Sequence, residues 1–258
     1  MAVPRCLTIA TSDSGGGAGI QADLKAFAAA GCHGTSALVA LTAQNTVAVT
    51  AVHELPSEFV VAQLDAVFDV IGVDAAKTGM LFSRRLIETV ADYLADHPVP
   101  LVVDPVMVAS SGARLLQEDA VATYVERLLP LATVVTPNLA EAEALAGSSG
   151  PRRDLAERIR ERGARAVVVT GGHGDEPGDL LLDAEGELVI PVERRKRRAA
   201  HGSGCTHSAT LAAHLARGSS LRDAARAAAA AASVAVENGL EELGAGEGPV
   251  DVLGVAAR

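Results

Sequence analysis

The chain has 258 residues, of which 49% are hydrophobic, and its formal net charge is −10. Those values exclude an intrinsically disordered protein, and the acidic balance argues against a general binder of nucleic acids. Aromatic residues make up only 2% of the chain and Trp is absent. The core is therefore expected to consist of Ala, Val and Leu, without aromatic platforms for stacking bases.

The three cysteines are Cys6, Cys32 and Cys205, which lie far apart and without C-x-x-C spacing. This pattern predicts neither a disulfide framework nor a zinc site. The sequence shows no secretion-signal pattern, and no apolar run reaches membrane-spanning length. We therefore expect a cytoplasmic protein without a membrane partner.

Short apolar runs alternate with stretches of helical periodicity along most of the chain. Strands are predicted at 6–11, 35–43, 100–107, 132–138 and 165–173, and a further strand with its exit at 75–81. Helices are predicted at 19–31, 57–71, 84–96, 118–129, 139–147, 154–163 and 206–238. Ser57 is expected to cap the second helix.

This alternation predicts an α/β chain with a mostly parallel central sheet and helices on both faces. Residues 179–194 differ, because two short apolar runs flank Ala-Glu-Gly-Glu and predict a small β-hairpin flap. No change in composition marks a linker, so residues 1–258 are expected to form a single domain.

The segment "SDSGGGAGIQADLK" at 12–25 is a glycine-rich turn between a predicted strand and helix. Backbone N–H groups of such a turn can approach an anion closely. Dinucleotide-binding folds need G-x-G-x-x-G and an acidic residue after the second strand, but here Gln44 and Asn45 follow that strand. A P-loop motif is also absent from the sequence.

Ligands of such folds collect at the carboxyl ends of the parallel strands, and polar residues follow almost every predicted strand. The amide of Gln44 at one exit can donate to and accept from the edge of an aminopyrimidine. A solvated side chain in an ordinary turn is an equally open interpretation.

Two carboxylates, Asp104 and Glu141, leave neighbouring predicted strands. Together they would suit Mg²⁺ beside nucleotide phosphates. Asn138 and Glu141 also have the spacing of a helix capping box. The two interpretations are compatible, and both stay open at this point.

The segment "HGSGCTHS" at 201–208 places Cys205 between glycines and a predicted helix. The N–H groups of 202–206 are expected to form an anion hole, in which a helix N-terminus lowers the pKa of the thiol. The alternative is a small buried hydrophobe. The preceding basic run at 193–198 indicates either a solvated loop or a phosphate-attracting flap.

Taken together, these motifs resemble the hydroxymethylpyrimidine/phosphomethylpyrimidine kinase family. "SDSGGGAGIQADLK", "ALTAQNT", "KTGML", "VVDPVM", "TPN", "EAEAL", "VTGGH" and "HGSGCT" occur in the order of that family along nearly the whole chain. The resemblance implies a ribokinase-like three-layer fold and ATP- and Mg²⁺-dependent phosphorylation of 4-amino-5-hydroxymethyl-2-methylpyrimidine and its monophosphate in thiamine biosynthesis.

The resemblance also implies roles for individual residues. It places Gln44, Asp23 and Met80 at the pyrimidine, Asp104 and Glu141 at Mg²⁺, and Thr170, Gly171 and Asn138 on the ATP side. It places Gly202, Ser203, Gly204 and Cys205 at the transferred phosphoryl group, with Cys205 where related sugar kinases have an aspartate base.

The last motif departs from the family pattern Gly-Thr-Gly-Cys-Thr-Leu, because this chain has Ser203 and His207. Alternative interpretations are a pyridoxal or pyridoxine kinase of the same superfamily and a non-catalytic pyrimidine-binding protein. A homodimer is a further expectation from the superfamily, and no nucleic-acid partner is expected.

Overall fold

The computed structural model describes residues 2–107, 120–171, 178–192 and 199–257. The strands are β1 (Arg5–Asp13), β2 (His33–Gln44), β3 (Val49–Glu54), β4 (Ala75–Thr78), β5 (Leu101–Val103), β6 (Val134–Val135), β7 (Val167–Val169), β8 (Asp179–Asp183) and β9 (Gly186–Ile190). The α-helices are α1 (Gly19–Ala29), α2 (Ser57–Phe68), α3 (Arg84–Asp96), α4 (Ala120–Thr123), α5 (Leu139–Ala146), α6 (Arg152–Glu161), α7 (Ser203–Ala216) and α8 (Leu221–Glu237).

Within these ranges the nine strands form one sheet in the order β3-β2-β1-β4-β5-β6-β7-β8-β9. The six neighbouring strands β2, β1, β4, β5, β6 and β7 pair in parallel. In this part of the sheet, Ile9 of β1 lies opposite both Ala37 and Thr78. β3 is antiparallel at one edge, and β8 and β9 are antiparallel at the other. The mostly parallel sheet is confirmed. The predicted hairpin is also present, and its two strands continue the central sheet.

Alternate residues of each strand face opposite sides of the sheet, which gives the protein two apolar cores. Leu7 and Ile9 belong to the core formed with α2, α3, α5 and α6. Cys6 belongs to the core formed with α1, α7 and α8, whose helices contribute mainly Ala. Helices therefore cover both faces, as the continuous apolar strands predicted.

Some predicted boundaries are wrong. The predicted helix at 206–238 is two helices, because the chain turns at Gly218 with φ +82° after α7 ends. Pro56 occupies the N-cap position of α2, and Ser57 is already helical, with its hydroxyl accepting a hydrogen bond from Thr89.

Two further segments differ from the prediction. β3 was not predicted, because its exposed alternate residues break up the apolar run expected of a buried strand. In the predicted helix at 118–129, α4 is followed by a π-type turn (Tyr124–Leu128) and a 3₁₀ turn (Leu129–Leu131), and residues 118–119 lie outside the described ranges. Among the described residues, no helix has the length and apolar character needed to cross a membrane.

Candidate active site

A cavity of about 910 Å³ opens at the carboxyl ends of the parallel strands. The predicted site residues on its wall are Gln44, Met80, Asp104, Asn138, Glu141, Thr170, Gly171, Gly202, Ser203, Gly204 and Cys205. Eleven of the twelve predicted site residues thus surround one space. This position agrees with the rule that open α/β sheets bind ligands beyond the carboxyl ends of their strands.

The cavity has two ends that are separated by most of the sheet. Gln44 ends β2, whereas Thr170 directly follows β7, and five strand spacings lie between these two strands. At about 4.8 Å for each spacing, the two ends are about 24 Å apart. Such a length accommodates a small acceptor at one end and an extended nucleotide at the other.

At the β2 end, hydrogen bonds hold Gln44 in place. The Thr42 hydroxyl donates to the side-chain oxygen of Gln44 over 3.1 Å, and the Ser14 hydroxyl accepts from its backbone N–H over 2.8 Å. Met80 is buried beside this space, and its carbonyl accepts a hydrogen bond from Thr11. The oriented amide and the apolar thioether provide the mixed surface that a small aromatic ring requires.

Asp23 is not among the described residues on the cavity wall, which corrects the expectation that it contributes directly to the pocket. It is fully buried on the sheet-facing side of α1, where its carboxylate accepts hydrogen bonds from Thr8 (2.6 Å) and Lys77 (2.9 and 3.0 Å). Burial raises the pKa of Asp23 despite these donors. Its direct partner is therefore Lys77.

Lys77 was missed as a site residue. Its ammonium group is fully buried, lies 2.9 Å from Asp23 and 3.2 Å from Asp104, and forms part of the cavity wall. Burial alone would lower the pKa of Lys77, but Asp23, Cys205 and Asp104 hold it above its ordinary value. The available signal was a lysine inside an otherwise apolar strand, because lysine is rarely buried without a partner.

The carboxylates of Asp104 and Glu141 face the same space. Asp104 accepts a hydrogen bond from the Ser208 hydroxyl over 2.8 Å. Glu141 and Asn138 form the capping box of α5, because each side chain accepts the backbone N–H of the other, over 2.9 and 3.0 Å. The capping role and a place on the cavity wall are thus both present. Burial, reinforced by Asp104, raises the pKa of Glu141 to about 8.

These two carboxylates fit Mg²⁺. They are hard oxygen donors, and burial and Asp104 raise the pKa of Glu141 to about 8, so its charged form would gain from a cation at this place. The described residues contain no group of three or more acidic, His or Cys side chains that could hold a metal on their own. Mg²⁺ typically takes one or two carboxylates and completes its shell with phosphate and water.

The start of α7 forms a narrower anion site than the sequence predicted. Ser203 donates its N–H to Ala200 over 3.0 Å, and Thr206 donates to Gly202 over 2.9 Å. The N–H groups of Gly204 and Cys205, in the first turn, have no intrahelical acceptor. Of the five donors expected at 202–206, Ser203 and Thr206 are therefore engaged elsewhere, and Gly204 and Cys205 are the two in the first turn that remain available.

The thiol of Cys205 has different chemistry from the prediction. It is half-buried, and burial together with Asp104 and Asp23 raises its pKa to about 12, against the opposing effect of Lys77. The expected lowering by the helix N-terminus is corrected, because desolvation and two nearby carboxylates outweigh it. At neutral pH the sulfur therefore carries its proton.

The glycine turn is organised by Asp13, whose carboxylate accepts the N–H groups of Gly15, Gly17 and Ala18 over 2.7, 3.1 and 2.9 Å. His201 lies 3.1 Å from the same carboxylate. Burial would raise the pKa of Asp13, but the hydrogen bonds from His201 and the turn lower it overall. The turn before α1 is thereby tied to the turn before α7.

At the β7 end, the N–H of Gly171 donates to Asp179 over 2.9 Å, and Asp179 lies 3.0 Å from His207. Asp179 and His207 both line the cavity, as Thr170 does. Sequence reasoning did not assign this pair a role. The predicted basic run at 193–198 lies outside the described residues.

Solved structures share this fold along the whole chain. A Bacillus subtilis pyridoxal kinase in an ADP complex matches with a TM-score of 0.90 and 35% identity, over 100% of both chains. A phosphomethylpyrimidine kinase from Clostridium difficile 630 matches with a TM-score of 0.80 and 37% identity, over 89% of this chain and 97% of that one. The fold is thus that of the ribokinase-like kinases.

Sequence comparison gives the family. Residues 13–251 match the family model for phosphomethylpyrimidine kinase. A hydroxymethylpyrimidine/phosphomethylpyrimidine kinase of Rhizobium meliloti (strain 1021) is 50% identical over 252 residues, which cover 95% of each chain. Another of Haemophilus influenzae is 44% identical over 260 residues and 96% of each chain. The chain belongs to the phosphomethylpyrimidine kinase family.

Proposed function

We propose that this enzyme transfers the γ-phosphoryl group of ATP first to the alcohol of 4-amino-5-hydroxymethyl-2-methylpyrimidine and then to the resulting monophosphate, in thiamine biosynthesis. The observation that carries the proposal is the cavity at the carboxyl ends of the strands, which has an oriented amide at one end and two carboxylates and a helix N-terminus along its length. Relatives with 41–50% identity bear the name of this activity.

In this proposal, each end of the cavity binds one substrate. The amide of Gln44 pairs with the aminopyrimidine edge, and Met80 packs against the ring. The nucleotide lies towards Thr170, Gly171 and Asn138, beside apolar residues of α8. Binding both substrates in one cavity aligns the acceptor oxygen with the γ-phosphorus, which is the main requirement of phosphoryl transfer.

The charge of the phosphates is compensated between these ends. Asp104 and Glu141 would hold Mg²⁺, which when bound neutralises phosphate charge. The N–H groups of Gly204 and Cys205 donate to the oxygens of the transferring group. The buried ammonium group of Lys77 lies 3.2 Å from an oxygen of Asp104 and helps to orient this carboxylate.

Cys205 acts as a positioning group in this scheme. A thiol with a pKa of about 12 is protonated in the resting enzyme, so it cannot take the acceptor's proton there. Its S–H and backbone N–H orient the acceptor and the phosphoryl oxygens. The proton of the first acceptor, an alcohol, passes to an oxygen of the transferred phosphoryl group as the new O–P bond forms and the bond to ADP breaks, and then to water, because little proton transfer is needed before the transition state.

The test is ATP-dependent turnover of hydroxymethylpyrimidine, with monophosphate and diphosphate products separated and pyridoxal assayed in parallel. Both pyrimidine products are expected. Pyridoxal is the second candidate acceptor, because the pyridoxal kinase match covers both chains completely. Pyridoxal phosphate as the sole product would move the specificity to that acceptor, and no turnover with any acceptor would contradict the proposal.

A further inference from the structure

A buried histidine–aspartate pair lies at the β7 end of the cavity. His207 is one turn into α7 and only 4% exposed, and its Nε2 is 3.0 Å from an oxygen of Asp179. Both residues form part of the cavity wall.

The second oxygen of Asp179 accepts the N–H of Gly171 over 2.9 Å. Gly171 is packed so tightly that an added Cβ would lie 1.9 Å from the carbonyl oxygen of Gly178. One carboxylate therefore joins three elements of the wall, namely the first turns of α7, the exit of β7 and the start of β8. His207 is the link from this carboxylate to α7.

The hydrogen bonds of Asp179 indicate that the imidazole ring of His207 acts as a donor to this carboxylate. Burial would raise the pKa of Asp179, but His207 and Gly171 lower it overall, so the group remains a carboxylate. A carboxylate only accepts, so Nε2 of His207 carries the donated proton. Nδ1 is then buried, and it has no hydrogen-bond partner among the described residues. An apolar side chain at position 207 would avoid the cost of burying a nitrogen without a partner. It would also remove the donor to one oxygen of Asp179, and only the bond from Gly171 to the other oxygen would remain.

Without His207 the Asp179 carboxylate would lose the side-chain donor that holds it within the wall, and it would be free to turn towards the cavity and repel a polyphosphate. The pair lies at the end that the proposed function assigns to ATP, because Asp179 begins β8, six strand spacings from β2, the strand that ends at Gln44. We propose that His207 is a positioning residue for the nucleotide, which acts by pairing the Asp179 carboxylate and keeping the Gly171 N–H in place. This inference rests on the proposed function, because that function defines the nucleotide end.

The test compares the Michaelis constants of folded variants for both substrates. His207→Leu is expected to raise the KM for ATP about tenfold and to change the KM for hydroxymethylpyrimidine by less than about twofold. His207→Gln, whose amide reaches the same carboxylate, should restore most of the ATP affinity. Adding Asp179→Asn to His207→Leu should recover part of it, because the unpaired charge is removed. His214→Leu, on the same helix and outside the cavity wall, is the matched control.

A rise in both KM values together, or a Gln variant as defective as the Leu variant, would overturn the inference, since either result indicates a general packing role. Calorimetric titration with ADP provides the same comparison without turnover. If the unsubstituted protein phosphorylates no acceptor, the proposed function fails. The inference is then still decided by whether His207→Leu weakens ADP binding and His207→Gln restores it.

Discussion

Among single residues, the buried Lys77 interacts with three other ionisable side chains of the site. Lys77 contacts Asp23 and Asp104, and its charge also acts on the sulfur of Cys205. Among the described residues, Lys77 is shared between these two carboxylates. Burial and the two carboxylates keep Cys205 protonated at neutral pH, and the carboxylates give a cation beside Asp104 a favourable environment.

A protonated Cys205 leads to a prediction about the two phosphorylations. Cys205→Ala should lower kcat for both steps by a similar factor, about tenfold, because the lost group positions the substrates and takes no proton. Rapid-quench measurements with hydroxymethylpyrimidine and with its monophosphate give the two rates separately. A much larger loss in the first step, in which an alcohol must lose a proton, would show that the thiol accepts it.

Among the elements, α7 brings both Cys205 and His207 to the cavity wall, and it begins directly after the turn at Gly202. That residue has φ +82°, and an added Cβ would lie 1.8 Å from the carbonyl oxygen of Gly17. The turn before α7 and the glycine turn before α1 are therefore in direct backbone contact. Their closeness places the N–H groups of Gly204 and Cys205 at the cavity.

Alanine substitutions of the two glycines at the ends of α7 distinguish the effect of backbone strain from the effect of losing the contact between the turns. Gly218 has the same φ of +82°, but an added Cβ there meets nothing within 4 Å. Gly218→Ala should cost about 1 kcal/mol of stability and leave kcat unchanged. Gly202→Ala should cost more and should also reduce kcat at least about tenfold, because it separates the two turns.

Urea denaturation and steady-state assays of both variants supply the comparison. Similar stability losses and similar kcat values for the two alanine variants would show that the contact between Gly202 and Gly17 has no functional importance.

The sequence predicted elements where period and composition agree, and it missed features that depend on contacts distant along the chain. The predicted helix at 84–96 matches α3, which has a clear helical period and in the structure begins after a capping serine, Ser83. β3 was missed because an edge strand with exposed alternate residues has no continuous apolar run. The break at Gly218 was missed because Ala-rich sequence lies on both sides of it.

The candidate site shows the same division. Strand-exit positions predicted which residues line the cavity, since topology alone brings these exits together. The partners of Asp23 and the pKa of Cys205 were not predictable, because both depend on where Lys77 and Asp104 lie in space. The pairing of His207 with Asp179 also needed the packing of α7 on β8.

For the whole molecule, the two ends of the parallel strands differ in function. The cavity occupies the carboxyl ends of the strands, while Arg5, at the opposite end of β1, binds Asp74 through its side chain and its backbone N–H. The hydrogen bond from the Arg5 side chain is the main reason that the pKa of Asp74 is lowered. This pair joins the starts of β1 and β4 far from the cavity.

The Arg5–Asp74 pair gives a prediction for stability against pH. A carboxylate with a lowered pKa contributes stability above about pH 4, and this contribution is lost as the pH falls through its folded-state pKa. Asp74→Asn should therefore lower the melting temperature at pH 7, and the difference from the unsubstituted protein should shrink progressively below about pH 4. Calorimetric scans over this range test it. A difference independent of pH would mean that the charge of Asp74 is unimportant, and kcat should be unaffected throughout.

The proposed function requires one cavity to bind the pyrimidine at Gln44 and the γ-phosphate of the nucleotide next to it, with the far end of the nucleotide near Thr170, five strand spacings or about 24 Å along the sheet. The most direct test is the pair of KM values for Gln44→Leu, with hydroxymethylpyrimidine and ATP varied in turn. We predict a rise of about tenfold or more in the KM for the pyrimidine and an unchanged KM for ATP. An unchanged KM for the pyrimidine, or an equal rise in both values, would contradict the account.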